Sequence, residues 1–375
     1  MTSSPDANPD PAVDVVDPAS VPARVLTGGD RMPSVGMGTF GSDRYGTAQV
    51  AEAVRGGLEI GYRLVDCAAV YGNEAEIGQV FTDAFRDRVV ERDELFVMSK
   101  LWNDSHGARG VASSVRRTLT DLGLDHLDGY FVHWPFPNHH PPAADPDARD
   151  PHARPYLHDE FMETWQAMEL LVDSGLVRHL GTSNVTVPKL RLILADARVR
   201  PSLNEMELHP CFQQPELFDL CVAEGVQPIG YSPLGSPSRP ERDRTPGDHV
   251  DTEHPAVVAA ARAHDVHPAL ICLKWAAQRG QVPIPFAVRR SQYASNLRAV
   301  TTDPLTEQEM AALREADAGD RLIKGQVFLW PGAASWEDLW DVDGTVATWD
   351  GFTPRTGTAP DPTPDAADSP PGTAR

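Results

Sequence analysis

Cysteine is scarce in this chain: Cys67, Cys211, Cys221 and Cys272 are the only four in 375 residues. No two form a CxxC pair and none sits at a metal-ligand spacing, so the sequence shows neither a disulfide framework nor a thiolate metal centre. They read as reduced thiols of a cytoplasmic protein. Long apolar runs are also missing. No segment approaches the roughly 18 apolar residues of a membrane span, and the N-terminus lacks the basic stretch and apolar run of a signal peptide. Positive charge is in short supply. There are 33 Lys and Arg against 54 Asp and Glu, a net charge of −21, which argues against nucleic acid or an anionic membrane as a partner. Finally, no GxGxxG opens a helix after the first strand, although an open doubly wound sheet would usually carry one.

What is present is a globular composition with 41% hydrophobic residues. Its two ends differ from the rest. Residues 1–22 hold Asp6, Asp10, Asp14 and Asp17 with no Lys or Arg, and residues 353–375 are rich in Pro, Ala, Thr and Asp. Neither end has periodic apolar residues, so both are expected to be disordered tails around a folded body, 23–352. The body opens with a hairpin whose turn is Gly28-Gly29-Asp30. A helix then starts at Thr47 as N-cap, with Val50, Val54 and Leu58 on one face. From "YRLVD" onward, short apolar strands alternate with helices about eight times, which predicts parallel strands with crossover helices. Eight such units in about 300 residues fit a closed (β/α)8 TIM barrel of the α/β class, with an N-terminal β-hairpin and long loops covering a substrate.

In such a barrel the strand ends of one rim build the site. Read in order they are Asp66, Lys100, His133, Ser183 with Asn184, Glu205 and Tyr231, and Tyr71 lies just past Asp66. The set has a chemical logic. A phenol titrates near ~10 in water, and an ammonium beside it lowers that value. Lys100 can supply the charge, Asp66 can hold Lys100 in place, and His133 can orient a carbonyl oxygen. Together they form a proton donor for an oxygen that becomes an alkoxide, beside a carbon that takes hydride from a nicotinamide. Singly, each has an ordinary structural explanation: an internal ion pair, a rim histidine, a packed tyrosine. Four residues on adjacent strand ends in matching roles favour the site.

These residues sit in "GYRLVDCAAVYGNEAEIG", "FVMSKLW", "GYFVHWP", "LGTSN", "ELHP" and "YSPLGS". As an ordered set they closely resemble the aldo-keto reductase superfamily, nearest its aldose and aldehyde reductase branch, from about residue 24 to 330. The resemblance implies a catalytic tetrad of Asp66, Tyr71, Lys100 and His133, with Tyr71 the general acid for reduction and the base for oxidation. It implies that Ser183, Asn184, Glu205 and Tyr231 surround the nicotinamide, that Thr39 also binds the cofactor, that Ser232, Leu234 and Ser236 lie along the pyrophosphate, and that Asn296 contacts adenine. Three departures stand out. Glu205 replaces a usual Gln, and a carboxylate cannot donate to a carboxamide carbonyl. The usual "IPKS" is "IPFA", so Phe286 replaces a phosphate-binding Lys, and Gln292 replaces an Arg. Arg289 and Arg290 are the substitutes for holding a 2′-phosphate, or else a solvated charge pair. NADP(H) is therefore favoured over NAD(H). The loops also differ. His139 and His140 lie in a long connection read as a mobile loop rather than a metal site. In the C-terminal segment, Trp330, Trp336 and Trp340 are candidates to wall the substrate pocket with Phe40, Trp102 and Trp134, or to pack the segment on the barrel.

The expected protein is a monomer that transfers hydride between NADP(H) and a small-molecule carbonyl or alcohol, with no metal. The alternatives are a sugar or polyol dehydrogenase of the same family, a cofactor-binding regulatory subunit with little turnover, and a metal-dependent barrel hydrolase.

Overall fold

A computed structural model describes residues 15–41, 44–139, 150–237, 239 and 244–347. The chain first turns back on itself where Gly28 and Gly29 adopt φ of +107° and +98°, which side chains with a Cβ rarely tolerate. The turn joins β1 (Ala23–Val25) to β2 (Arg31–Pro33), paired antiparallel with Val25 opposite Arg31. Leu26 and Met32 of this hairpin are buried against Leu64, Phe96 and Phe131 in the interior of the sheet that follows. Asp30 reaches His179 at 2.8 Å. The hairpin thus plugs one end of the barrel.

Eight strands follow in sequence order, all parallel: β3 (Met37–Gly38), β4 (Leu64–Asp66), β5 (Phe96–Leu101), β6 (Leu127–Val132), β7 (Val177–Ser183), β8 (Leu203–Glu207), β9 (Gln227–Tyr231) and β10 (Val282–Pro283). Two backbone hydrogen bonds close the cylinder, from Gly36 to Pro283 at 3.0 Å and from Gly38 to Pro285 at 3.1 Å. A Cβ on Gly38 would stand 2.9 Å from the Ile284 carbonyl oxygen, so closure here needs glycine. The period-2 alternation of strands decides what fills the barrel. Leu64, Met98, Phe131, Leu203 and Ile229 form a buried interior layer. Gly181 leaves room for Phe131, since a Cβ there would lie 2.2 Å from the ring. One step further along the same faces, Asp66, Lys100, His133, Ser183, Glu205 and Tyr231 reach the opposite rim.

The helices are α1 (Thr47–Ile60), α2 (Glu74–Arg86), α3 (Ala108–Leu122), α4 (His158–Asp173), α5 (Val187–Asp196), α6 (Pro215–Ala223), α7 (Pro255–Ala263), α8 (Pro268–Arg279), α9 (Arg290–Ala299) and α10 (Glu307–Arg314). They bury their apolar faces on the outside of the sheet, around Tyr62, Phe81, Tyr130 and Trp165. In α1, Val50, Val54 and Leu58 are buried as their spacing predicts, but the N-cap is Gly46. The Thr47 hydroxyl instead donates to Glu76 at 2.7 Å, a tertiary bond that a local reading cannot see. No single helix among the described residues is long and apolar enough to cross a membrane.

The folded body also begins earlier than the expected residue 23. Val16 is buried and its amide donates to Ile60 at 2.8 Å, while Asp17 caps a turn at Pro18–Ser20. The tails at 1–14 and 353–375 lie outside the described residues. After α10 the chain crosses the rim as a segment with two short 3-10 turns, Gln326–Phe328 and Trp336–Trp340.

Candidate active site

The residues between β4 and α2 explain why a buried strand ends on a carboxylate with a phenol close behind. Asp66 ends β4, and its carbonyl accepts from the Thr39 hydroxyl at 2.8 Å. Tyr71 then sits on a 3-10 turn, Ala69–Tyr71, that stops at Gly72 with φ of +65°. Asn73 clamps this turn by donating to the Thr39 carbonyl at 2.9 Å. Glu74 is buried at the first turn of α2 and accepts from Ser99 at 2.6 Å and Thr118 at 3.1 Å. Asn73 and Glu74 thus position Tyr71, a role the sequence reading did not assign. Its only local signal is a polar pair opening a helix next to the strand end.

Lys100 lies at the bottom of the site with no exposure. Its ammonium donates to both Asp66 carboxylate oxygens at 2.6 and 2.7 Å and to the Cys67 carbonyl at 3.1 Å. It also stands 3.3 Å from Glu205 Oε2 and 5.4 Å from the centre of the Tyr71 ring. His133 meets Tyr71 edge-on, with ring centroids 5.9 Å apart, and Trp102 at 5.2 Å.

The electrostatics follow from burial and charge. Burial would lower the Lys100 amine, but Asp66, Glu205 and Tyr71 around it hold it well above its ordinary value, so it is a cation. Burial raises Tyr71 above the ordinary phenol value, and Asp66 and Glu205 add to this. The pull of Lys100 toward the phenolate is present but smaller than burial, which corrects the expectation that the ammonium leaves Tyr71 below its ordinary value. The phenol is therefore a proton donor at neutral pH. Burial and the Lys100 charge push His133 well down, leaving a neutral imidazole.

Around this centre lies a cavity of about 1280 Å³. Thr39, Phe40, Asp66, Tyr71, Trp102, His133 and Trp134 line one side. Ser183, Asn184, Glu205, Tyr231, Ser232, Leu234 and Ser236 line the next, and Arg289 and Asn296 the far end. Asn184 is held at φ +56°, with its amide donating to the His133 carbonyl at 2.8 Å and accepting from the Tyr231 hydroxyl at 2.7 Å. A non-glycine residue in that conformation marks a position fixed by its surroundings. Ser232 and Ser236 likewise have φ of +51° and +44°.

Five expected residues are not on the cavity wall: Lys100, which lies beneath it, Arg290, Trp330, Trp336 and Trp340. Arg290 begins α9 and its guanidinium bonds Tyr293. Trp330 packs with the aromatic cluster of the C-terminal segment and shares a separate small pocket with Phe136 and Leu339, away from the cavity. Trp336 and Trp340 lie in the same cluster, with Trp340 against Trp134 at 5.6 Å and stacked under Arg321 at 3.4 Å. The segment's actual contribution to the cavity is Ile323, Gly325, Val327 and Phe328. Residue size drew attention to the tryptophans, but direction is set by how the segment folds. Tyr45, Arg239 and His267 also line the cavity unforeseen, and Phe286, at the place of the replaced Lys, lines it with its ring 5.6 Å from that of Tyr45. Of the His139–His140 pair, His139 hydrogen-bonds near the Pro137 carbonyl at 2.9 Å, and His140 lies outside the described residues.

A closed eight-stranded parallel barrel with a Tyr, Lys, Asp and His cluster at one mouth defines a class of barrel oxidoreductases, and comparison with known proteins supplies the family. The model for the "Aldo/keto reductase family" matches residues 34–318. An aldo/keto reductase of Synechocystis sp. is 38% identical over 317 residues, 84% of this chain and 95% of that one. The Gallus gallus protein named aldo-keto reductase family 1 member A1 is 40% identical over 299 residues, 80% of this chain and 89% of its own. Among solved structures, a Bombyx mori aldo-keto reductase in complex with NADP superposes with a TM-score of 0.71 at 31% identity, covering 82% of this chain and 96% of that one. Another aldo-keto reductase, complexed with NADPH, gives 0.72 at 30% identity, covering 82% and 91%. The chain belongs to the aldo-keto reductase family of oxidoreductases.

Proposed function

We propose that this chain is a monomeric, cytoplasmic NADP(H)-dependent reductase that converts aldehydes and ketones to alcohols, reversibly, with Tyr71 as general acid and base. The observation that carries this reading is the placement of Tyr71 on the cavity floor between the Lys100 ammonium and neutral His133. The donor set of the cavity fits the cofactor. Ser183, Asn184, Glu205 and Tyr231 would hold the nicotinamide, Ser232, Leu234 and Ser236 the pyrophosphate, and Arg289 and Asn296 the adenosine end. Arg289 is the guanidinium at that end, and it would meet the 2′-phosphate in place of the Lys that Phe286 replaces.

When bound, the reduced nicotinamide supplies a hydride to the carbonyl carbon. Tyr71 gives its phenolic proton to the carbonyl oxygen, so the product leaves as an alcohol rather than an alkoxide. Lys100 stabilises the phenolate that remains, and Asp66 keeps Lys100 fixed and charged. Neutral His133 offers a ring nitrogen to orient the oxygen. Asn184 ties His133 to Tyr231 across the mouth. Phe40, Trp102, Trp134 and Phe328 make the substrate end aromatic, which favours aromatic and other apolar aldehydes over sugars and polyols.

The test is a paired rate assay with an aromatic aldehyde and either NADPH or NADH. Turnover mainly with NADPH, lost in Tyr71→Phe, is expected. Full turnover by Tyr71→Phe would remove Tyr71 as the acid. Tight cofactor binding with no turnover over a wide aldehyde panel would instead point to a regulatory binding subunit.

A further inference from the structure

Glu205 is a buried carboxylate beside a fully committed cation. The Lys100 ammonium has three protons, and two Asp66 oxygens and the Cys67 carbonyl stand within hydrogen-bond distance to take them. Glu205 Oε2, 3.3 Å from the same nitrogen, is left with attraction but no aligned donor, and it is a buried oxygen without a hydrogen bond. Two buried carboxylates therefore share one buried ammonium. With both ionised, the cluster carries one surplus negative charge.

We propose that Glu205 is a charge gate for the redox state of the cofactor: ionised, it favours the oxidised, cationic nicotinamide, and protonated, it favours the reduced, neutral one. This rests on reading the cavity as a nicotinamide cofactor site. Glu205 stands opposite Ser183 in the sheet and lines the cavity with Tyr231. A ring held by these residues meets the surplus charge directly. A positive ring compensates it and a neutral ring does not.

Burial raises the Asp66 carboxyl as well, so the two carboxylates titrate as a pair, and Glu205, which lacks the two Lys100 hydrogen bonds that Asp66 accepts, is the member that takes the proton. Burial and the Asp66 charge push its carboxyl up to about 8, against the opposing pull of Lys100. Lys100 itself is held charged, His133 neutral, and burial raises both Tyr71 and Tyr231. Further along β8, Glu207 is engaged by the Leu322 and Ile323 amides at 2.8 and 3.1 Å and by His209 at 3.2 Å.

The experiment measures Kd for NADP+ and for NADPH by quenching of tryptophan fluorescence from pH 6 to 9.5, in the wild type and in Glu205→Gln. The 2′-phosphate is common to both forms, so its own titration cancels in their ratio. In the wild type, NADP+ should tighten relative to NADPH by about tenfold as pH rises through about 8. In Glu205→Gln the ratio should be flat and NADP+ about tenfold weaker at high pH, with an unchanged circular dichroism spectrum as evidence of an intact fold. A ratio with the same pH dependence in both proteins overturns the gate while leaving the cofactor site standing. Failure of the wild type to bind either form overturns the cofactor reading and the gate together.

Discussion

Lys189 on α5 and Asp341 near the end of the C-terminal segment meet at 2.8 Å, both side chains buried. Lys189 also donates to the Leu339 carbonyl at 2.8 Å, and the Thr186 hydroxyl donates to Asp341. One ion pair thus fastens the segment that carries Phe328 to the body of the barrel. Removing one member of a buried pair leaves the other uncompensated, at a cost of about 3–5 kcal/mol. Lys189→Met should therefore loosen residues 320–347 with less effect on the barrel. Hydrogen exchange should rise in that segment alone, and a uniform rise over all strands would show the pair supports the whole fold instead.

The wall made by that segment is Phe328. It packs on Trp134 at 4.7 Å and on Trp102 at 6.1 Å, whereas Trp330 does not reach the cavity. Phe328→Ala should raise KM for an aromatic aldehyde about tenfold, since burying part of a ring is worth on the order of 1.5 kcal/mol. Trp330→Ala should leave KM near the wild-type value and lower Tm instead. Equal KM effects from the two variants would place both on the substrate.

Tyr71→Phe keeps the ring between Phe40 and His133, at 5.0 and 5.9 Å, and removes only the proton donor. Its Tm should stay within a degree or two of wild type, while kcat falls by roughly 10²–10⁴. Lys100→Met should lose both, because Asp66 is then a buried charge with no partner. Differential scanning calorimetry beside single-turnover rates separates the two cases.

His209 predicts how stability depends on pH. Burial alone would lower its imidazole, but Asp251 at 2.9 Å and Glu207 at 3.2 Å outweigh burial and raise it to about 9. A value above the unfolded 6.5 means a contribution that is complete below pH 6.5 and lost as pH rises through 9. The rise from 6.5 to about 9, at ~1.4 kcal/mol for each tenfold change in proton affinity, makes this roughly 3–4 kcal/mol. Urea midpoints should fall over that window in the wild type, and His209→Gln should remove most of the fall. An unchanged slope in the variant would mean that other groups carry it.

Arg289 is the test of cofactor choice. A guanidinium bonded to a phosphate contributes about 1.5–3 kcal/mol. Arg289→Ala should weaken NADPH by tenfold or more and leave NADH almost unchanged, and Arg290→Ala should do neither, because its guanidinium bonds Tyr293. A loss confined to Arg290→Ala would reverse the assignment.

The fold was legible because its signals are local and repeated. Each short apolar strand followed by an amphipathic helix states its own place in the order, and short parallel connections leave few topologies. Asp66, Lys100, His133 and Glu205 were legible for the same reason: alternation along a strand fixes which residues point inward, and the last inward residue is on the rim. Thr47 as N-cap failed because its hydroxyl prefers Glu76, 29 positions away.

What the sequence determined by itself is the barrel, its rim and the chemical types gathered there, since period and order are properties of the chain alone. Only the tertiary structure decided which aromatic faces the cavity, which arginine does, and how charge is shared around Lys100. Those outcomes depend on distances between residues far apart in the chain. Phe328 rather than Trp330 lines the cavity because Trp330 is taken up in the aromatic cluster with Phe136, Leu339 and Trp340. Tyr71 stays protonated because burial and two carboxylates together outweigh the single ammonium.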